Sequence, residues 1–161
     1  ADTILLYLPN RLVDLVDMFS IELGFGPAIR GHVRFSRACD IGAGVGATAK
    51  AVKGYNRQYG AALEKGWDAS FLMISAENKE REKTSRGVQK FYYYATGTPL
   101  PTEKIYDFYE GARDYFTIGA DGAALVEVNF EAHLVEIADF ITGWLFIDLK
   151  SDDFTGDDIR L

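Results

Sequence analysis

The sequence predicts a β-rich α+β domain, an antiparallel meander of about eight strands forming a curved sheet or small barrel, with two or three short amphipathic helices. Three observations lead there. Sixteen Gly, nine Tyr and eleven Phe among 161 residues favour aromatic-faced strands and tight turns over a helical bundle. Long stretches alternate apolar with polar residues at a period of two. Turn dipeptides such as Gly26-Pro27 and Asp121-Gly122 punctuate them. The length suits a single domain over residues 1–161, ending in an acidic tail at about 149–161.

In chain order, Pro9 and Asn10 precede Leu12, Leu15, Val16 and Phe19 at i, i+3, i+4 and i+7, which predicts a short amphipathic helix. From Phe19 the period becomes two. Phe19 to Phe25 and Ile29 to Phe35 read as a hairpin turning at Gly26-Pro27, the second run carrying Arg30, His32 and Arg34 on its polar face. Ile41, Ala43, Val45 and Ala47 alternate with glycines, which predicts a strand with Gly42, Gly44 and Gly46 on one face. Further strands are expected after Gly54, over Trp67 to Ala76 and over Val88 to Ala95, with the charged run Glu77 to Arg86 as a solvated loop. Thr102 to Arg113 suits a helix capped by Thr102. Tyr115 to Ala120 and Ala123 to Ala132 suit a closing hairpin at Asp121-Gly122.

The segment Leu12 to Ser20 is echoed by Leu134 to Thr142, position by position. Two similar helices are therefore expected to bracket the sheet. Their apolar stripes, with Leu15, Phe19, Ile137 and Ile141, should be buried, leaving Asp14, Asp17, Glu136 and Asp139 in solvent. The other option is that one stripe, extended by Phe140, Trp144 and Phe146, lies against a membrane or partner.

Composition narrows the function. Seventeen basic against 24 acidic residues give a net charge of −7, which repels phosphate backbones and argues against nucleic acid. The single Cys39 forms no internal disulfide and is expected in the core. The opening Ala1-Asp2-Thr3 suits a chain start after signal-peptide removal or a trimmed product. The apolar stretch from Phe140 to Ile147 falls far short of the roughly 18–20 residues of a transmembrane helix.

Several motifs carry chemistry on paper. Asp40-Ile41-Gly42-Ala43-Gly44-Val45-Gly46 resembles the glycine-rich loop of class I methyltransferases, and Asp68 after Gly66-Trp67 looks like their ribose-binding acid. That resemblance implies S-adenosylmethionine held by Gly42, Gly44, Gly46 and Asp68. Against it, Arg34 and Ser36 interrupt what should be a continuously apolar parallel strand. The expectation is thus no cofactor and no metal, the acidic end with Asp148, Asp152, Asp153, Asp157 and Asp158 fitting no calcium-loop spacing. His32 and His133 are the only histidines, and sequence alone places no acid or nucleophile beside either. Tyr92, Tyr94, Phe140, Trp144 and Phe146 are the candidate interaction face, Tyr92-Tyr93-Tyr94 suiting a sugar or lipid surface as well as packing.

From Val126 to Asp148, and again over Asn10 to Asp17, Gly24 to Gly31 and Asp152-Asp153, the chain resembles a family of small uncharacterised exported bacterial proteins, often lipoproteins. The resemblance implies placement in the cell envelope, periplasmic, outer-membrane or at the surface, and carries no activity; the lipidation Cys of the pattern is not at this N-terminus. The leading expectation is a non-enzymatic structural or binding protein of the envelope. It would present a β-rich surface to a protein, lipid or glycan partner, with membrane association and homo-oligomerisation left open. The alternatives are a methyltransferase-like domain, a soluble lipid carrier and a small outer-membrane β-barrel, whose lumen Arg30, His32, Arg34 and Arg57 would have to fill with acidic partners.

Overall fold

A computed structural model describes residues 2–54, 59–84, 88–106 and 113–144. The chain is β-rich, as the periodicity predicts, but the strands number six rather than eight. They are β1 (Phe19–Ser36), β2 (Cys39–Lys53), β3 (Tyr59–Leu72), β4 (Ile74–Thr84), β5 (Val88–Gly97) and β6 (Thr117–His133). All pair antiparallel in one sheet of order β5-β4-β3-β2-β1-β6, and among the described residues no ladder joins β5 to β6 as a barrel would require. Helix α1 (Asp2–Asp17) leads into β1, and α2 (Leu134–Gly143) follows β6.

The strand count falls because expected breaks are bridged. Gly26-Pro27 does not turn the chain but sits inside β1, where the register against β6 shifts between Phe25 and Ile29. The charged run from Glu77 is strand β4, not a loop: its alternating charges put one set of side chains on each face, as a strand does with any period-two pattern. Trp67 to Ala76 is divided between β3 and β4 by a tight turn, with Leu72 at φ 51° and Met73 between them. Between β5 and β6 only a 3-10 turn, Lys104–Tyr106, is described of the helix expected over Thr102 to Arg113.

The sheet is creased. Gly26, Gly46 and Gly66 take φ values of 156°, 145° and 135°. Gly46 is registered directly against Gly66 and against Ala28 of β1, so the three positions cross the sheet as a line. A Cβ on Gly46 would overlap Ala28, and one on Gly66 would overlap the Asn78 backbone, which only glycine avoids. On β6 the bend is sharper and centres on Leu125, at φ 72°. Its two ends lie side by side: Gly119 abuts the Phe130 carbonyl, and the Leu134 amide donates to the Phe116 carbonyl at 3.0 Å. The turn expected at Asp121-Gly122 does not form: β6 runs unbroken through both residues, which pair with His32 and Gly31 of β1.

The fold brings opposite ends of β1 together across the interior. Arg34, near its C-terminal end, pairs with Glu131, whose register partner is Ser20 near its N-terminal end. Where the two halves meet, α1 and α2 pack on each other. Arg11, ion-paired to Asp14 at 2.8 Å, lies over Gly143, where any side chain would displace its guanidinium. Lys53 of β2 donates to the Val16 and Phe19 carbonyls, closing the C-terminal end of α1 where its backbone acceptors are unpaired and its dipole negative.

Helix orientation is the main correction to the sequence reading. Asp14, Asp17, Glu136 and Asp139 are buried, whereas Leu15, Phe19 and Ile141 are exposed and Ile137 is half-buried. The stripes exist, turned outward. The buried polar faces lie where the helices meet each other and the end of β2: Arg11 pairs with Asp14 and covers Gly143 of α2, and Lys53 stands 3.9 Å from Asp17.

Candidate functional site

Inside and outside are reversed throughout. Eighteen polar or charged side chains are buried among the described residues, against five apolar ones, Ala28, Val52, Ala62, Ala123 and Tyr93. Outward positions alternate with these. On β1 they are Phe19, Ile21, Leu23, Phe25, Ile29, Val33 and Phe35, on β2 Ile41 and Val45, on β6 Val126, Val128 and Phe130, all exposed.

The buried charges are organised by strand alternation. Lys50 points inward from β2 and donates to Glu127 at 2.6 Å, with Glu64 at 3.1 Å and Glu22 at 3.4 Å. Arg30 reaches Glu64 at 2.6 Å, Glu127 at 3.0 Å and Asp68 at 3.6 Å. Arg81, from the run expected to be a loop, bridges Glu22 at 2.5 Å and Glu64 at 3.3 Å. His32 lies between Asp40 at 3.2 Å and Asp68 at 2.7 Å, and Arg34 between Asp40 and Glu131. Thr48 donates to the remaining Glu127 oxygen at 2.6 Å. A buried charge is tolerable only when paired and hydrogen-bonded, and here each cation meets two or three carboxylates.

Beyond the strands, Arg113 closes the gap after β5. It forks onto Glu77 at 2.8 Å and 3.0 Å and lies over the Tyr93 ring, 3.9 Å from its centroid. Burial by itself would lower the guanidinium pKa, but the Glu77 carboxylate and Tyr93 hold it above the ordinary value.

The candidate cofactor residues fall within this network. Gly42, Gly44 and Gly46 lie inside β2 and turn toward the interior while Ala43, Val45 and Ala47 are exposed, as the alternation predicts. No strand-loop-helix forms there. Gly44 is registered against Asp68, and the space above it is filled by the Arg30 side chain. Cys39 is half-buried at the start of β2, not in a core.

Of the candidate interaction residues, Tyr92 and Tyr94 are 72% and 80% exposed on β5, at one edge of the sheet. Trp144 is exposed just after α2, which follows the opposite edge strand, with the half-buried Phe140 edge-on at 6.2 Å. They do not form one face, and Phe146 lies outside the described residues, as do Arg57 and the acidic tail. Tyr92, Tyr94 and Trp67 instead border the polar part of the outer surface, where Lys65 pairs with Glu80 at 2.7 Å and Lys90 with Glu82 at 3.1 Å.

One polar cluster escaped sequence reasoning because its members come from distant segments. At the helix end of the sheet, Ser20 Oγ lies 2.5 Å from His133 Nε2, and Asp114 lies 2.9 Å from His133 Nδ1. No protein family, curated protein or solved structure matches the chain.

Proposed function

We propose that this chain is a membrane-embedded, β-structured component of the bacterial cell envelope, with lipid acyl chains against its outer face and a plugged, ionic interior. The observation that carries this reading is the reversal of burial. Among the described residues five buried apolar side chains, three of which gain only an alanine methyl, supply little hydrophobic driving force, at about 25 cal/mol per Å2 of apolar area removed from water. Against them stand desolvated charges whose pairing at best breaks even with burial. In water such a fold has too little to hold it. In a bilayer the exposed side chains of β1, β2 and β6 find an apolar solvent, and β1 to β4 have ladder partners on both sides.

Two further features fit. The outer surface is not uniformly apolar: on β3, β4 and β5 it passes through the row of Trp67 and Tyr94 to a row where Tyr92 joins the Lys65–Glu80 pair, and then to Lys90–Glu82, aromatic side chains giving way to charges as at a membrane boundary. Arg30, His32 and Arg34 have their acidic partners inside, in keeping with a charged interior beneath an apolar outer face. No described helix is long and apolar enough to cross a membrane. Envelope placement itself comes from the sequence resemblance, and a filled interior favours an anchoring or scaffolding role over a channel.

Fractionation tests the proposal. The native chain should stay in the membrane pellet after carbonate washing and become monodisperse only in detergent. Recovery as a folded, monodisperse species from the aqueous fraction without detergent would overturn it.

A further inference from the structure

The hydrogen-bonded line Ser20–His133–Asp114 has the atoms of a nucleophile relay in their working order, and we propose that it cleaves carboxylic esters. An imidazole with its Nδ1–H donated to a carboxylate leaves Nε2 free to accept the proton of a serine hydroxyl. That is the arrangement here: Nδ1 to Asp114 at 2.9 Å, Nε2 to Ser20 at 2.5 Å. The acid is itself fixed, its other oxygen accepting the Phe116 amide at 3.0 Å. The three residues come from β1, the end of β6 and the segment before β6, so the crease that doubles β6 back is what assembles them. Asp114 and Phe116 also line an open cleft of about 360 Å3 that runs between Pro101–Tyr106 and the start of α2.

A buried histidine simply satisfied by two neighbours is the plainer alternative. It leaves one feature unexplained. Thr117 follows Phe116, whose carbonyl accepts the Leu134 amide, so Thr117 lies beside His133 across the doubled strand; it is fully buried and its hydroxyl has no hydrogen-bond partner. A spare buried hydroxyl one residue from Phe116 is a donor available to a developing oxyanion.

In the reaction, Ser20 Oγ attacks the ester carbonyl as its proton passes to His133 Nε2. The C–O bond to the alcohol then breaks, and the departing alkoxide takes that proton. Water, deprotonated by the same nitrogen, hydrolyses the acyl-serine, releasing the acid and restoring the hydroxyl. Asp114 stabilises the imidazolium throughout. The relay lies on the inner side of the sheet, with Ser20 turned inward between the outward Phe19 and Ile21, and it does not rest on the membrane reading.

The test uses the purified full chain in detergent, treated with a fluorophosphonate probe and digested for peptide mass spectrometry. The expected result is an adduct on Ser20 of the unsubstituted protein, a measurement that no variant's folding can compromise. His133→Gln and Asp114→Asn should slow labelling at least about a hundredfold, and Thr117→Val should lower kcat for p-nitrophenyl octanoate with KM little changed. No adduct on Ser20 in folded protein would overturn the relay, as would a folded Ser20→Ala that hydrolyses the ester as fast.

Discussion

Individual ion pairs decide whether this interior can exist. Lys50, only 4% exposed, stands within 3.4 Å of three carboxylates, so removing its charge leaves Glu22, Glu64 and Glu127 one cation short, with Arg30 and Arg81 the remaining ion-pair partners among them. Lys50→Met should therefore lower unfolding stability by about 3–5 kcal/mol, the cost of an unpaired buried charge, read as a shift in the denaturation midpoint in detergent. Adding Glu127→Gln removes one stranded carboxylate and should recover part of that loss, giving a double-mutant coupling beyond about 0.5 kcal/mol. The positions of these charges were visible in the sequence as the polar half of each alternation. Their partners were not, because Arg81 and Glu22 meet across four strands and no spacing rule reaches that far.

At the scale of elements the crease makes the sharpest prediction. Gly46 and Gly31 look equivalent in sequence, both glycines in alternating strands. A side chain at Gly46 would meet Ala28 and adopt a φ of 145°, while one at Gly31 would meet nothing within 4 Å. Gly46→Ala should cost about 1–3 kcal/mol of stability and Gly31→Ala little or nothing, compared by thermal melts of the two variants. The helices teach a related lesson. Periodicity located both and identified two faces on each, but a 3.6-residue stripe says only that the faces differ, and which one is covered depends on the chemistry of the surface beneath. Expecting an apolar core put Asp17 and Asp139 in water; both are buried, with Lys53 3.9 Å from Asp17. Asp139→Ala should consequently destabilise more than Ile141→Ser, the reverse of what an ordinary amphipathic helix would give, as chemical denaturation of the pair would reveal.

For the whole molecule, the strand periodicity legible in the sequence carried the fold class, since a period of two survives any choice of which face is inside. It could not tell a soluble sheet from its inverse. The sites follow the same division: Ser20, His133 and Asp114 were each in view, but only the doubling of β6 at Leu125 brings them into contact. If the outer face meets lipid, a charge placed on it at Val45 should be penalised in a membrane. Val45→Arg should cost about 2–4 kcal/mol in bilayers and reduce the inserted fraction, whereas on a water-exposed strand it would change stability by less than about 0.5 kcal/mol. Trp67, outward on β3 and 45% exposed, reports the environment most directly. In the Trp144→Phe background, reconstituted into vesicles, its fluorescence should be quenched by lipids brominated on their acyl chains and left unaffected by aqueous iodide. Quenching by iodide with no response to brominated lipid would contradict the membrane-embedded account.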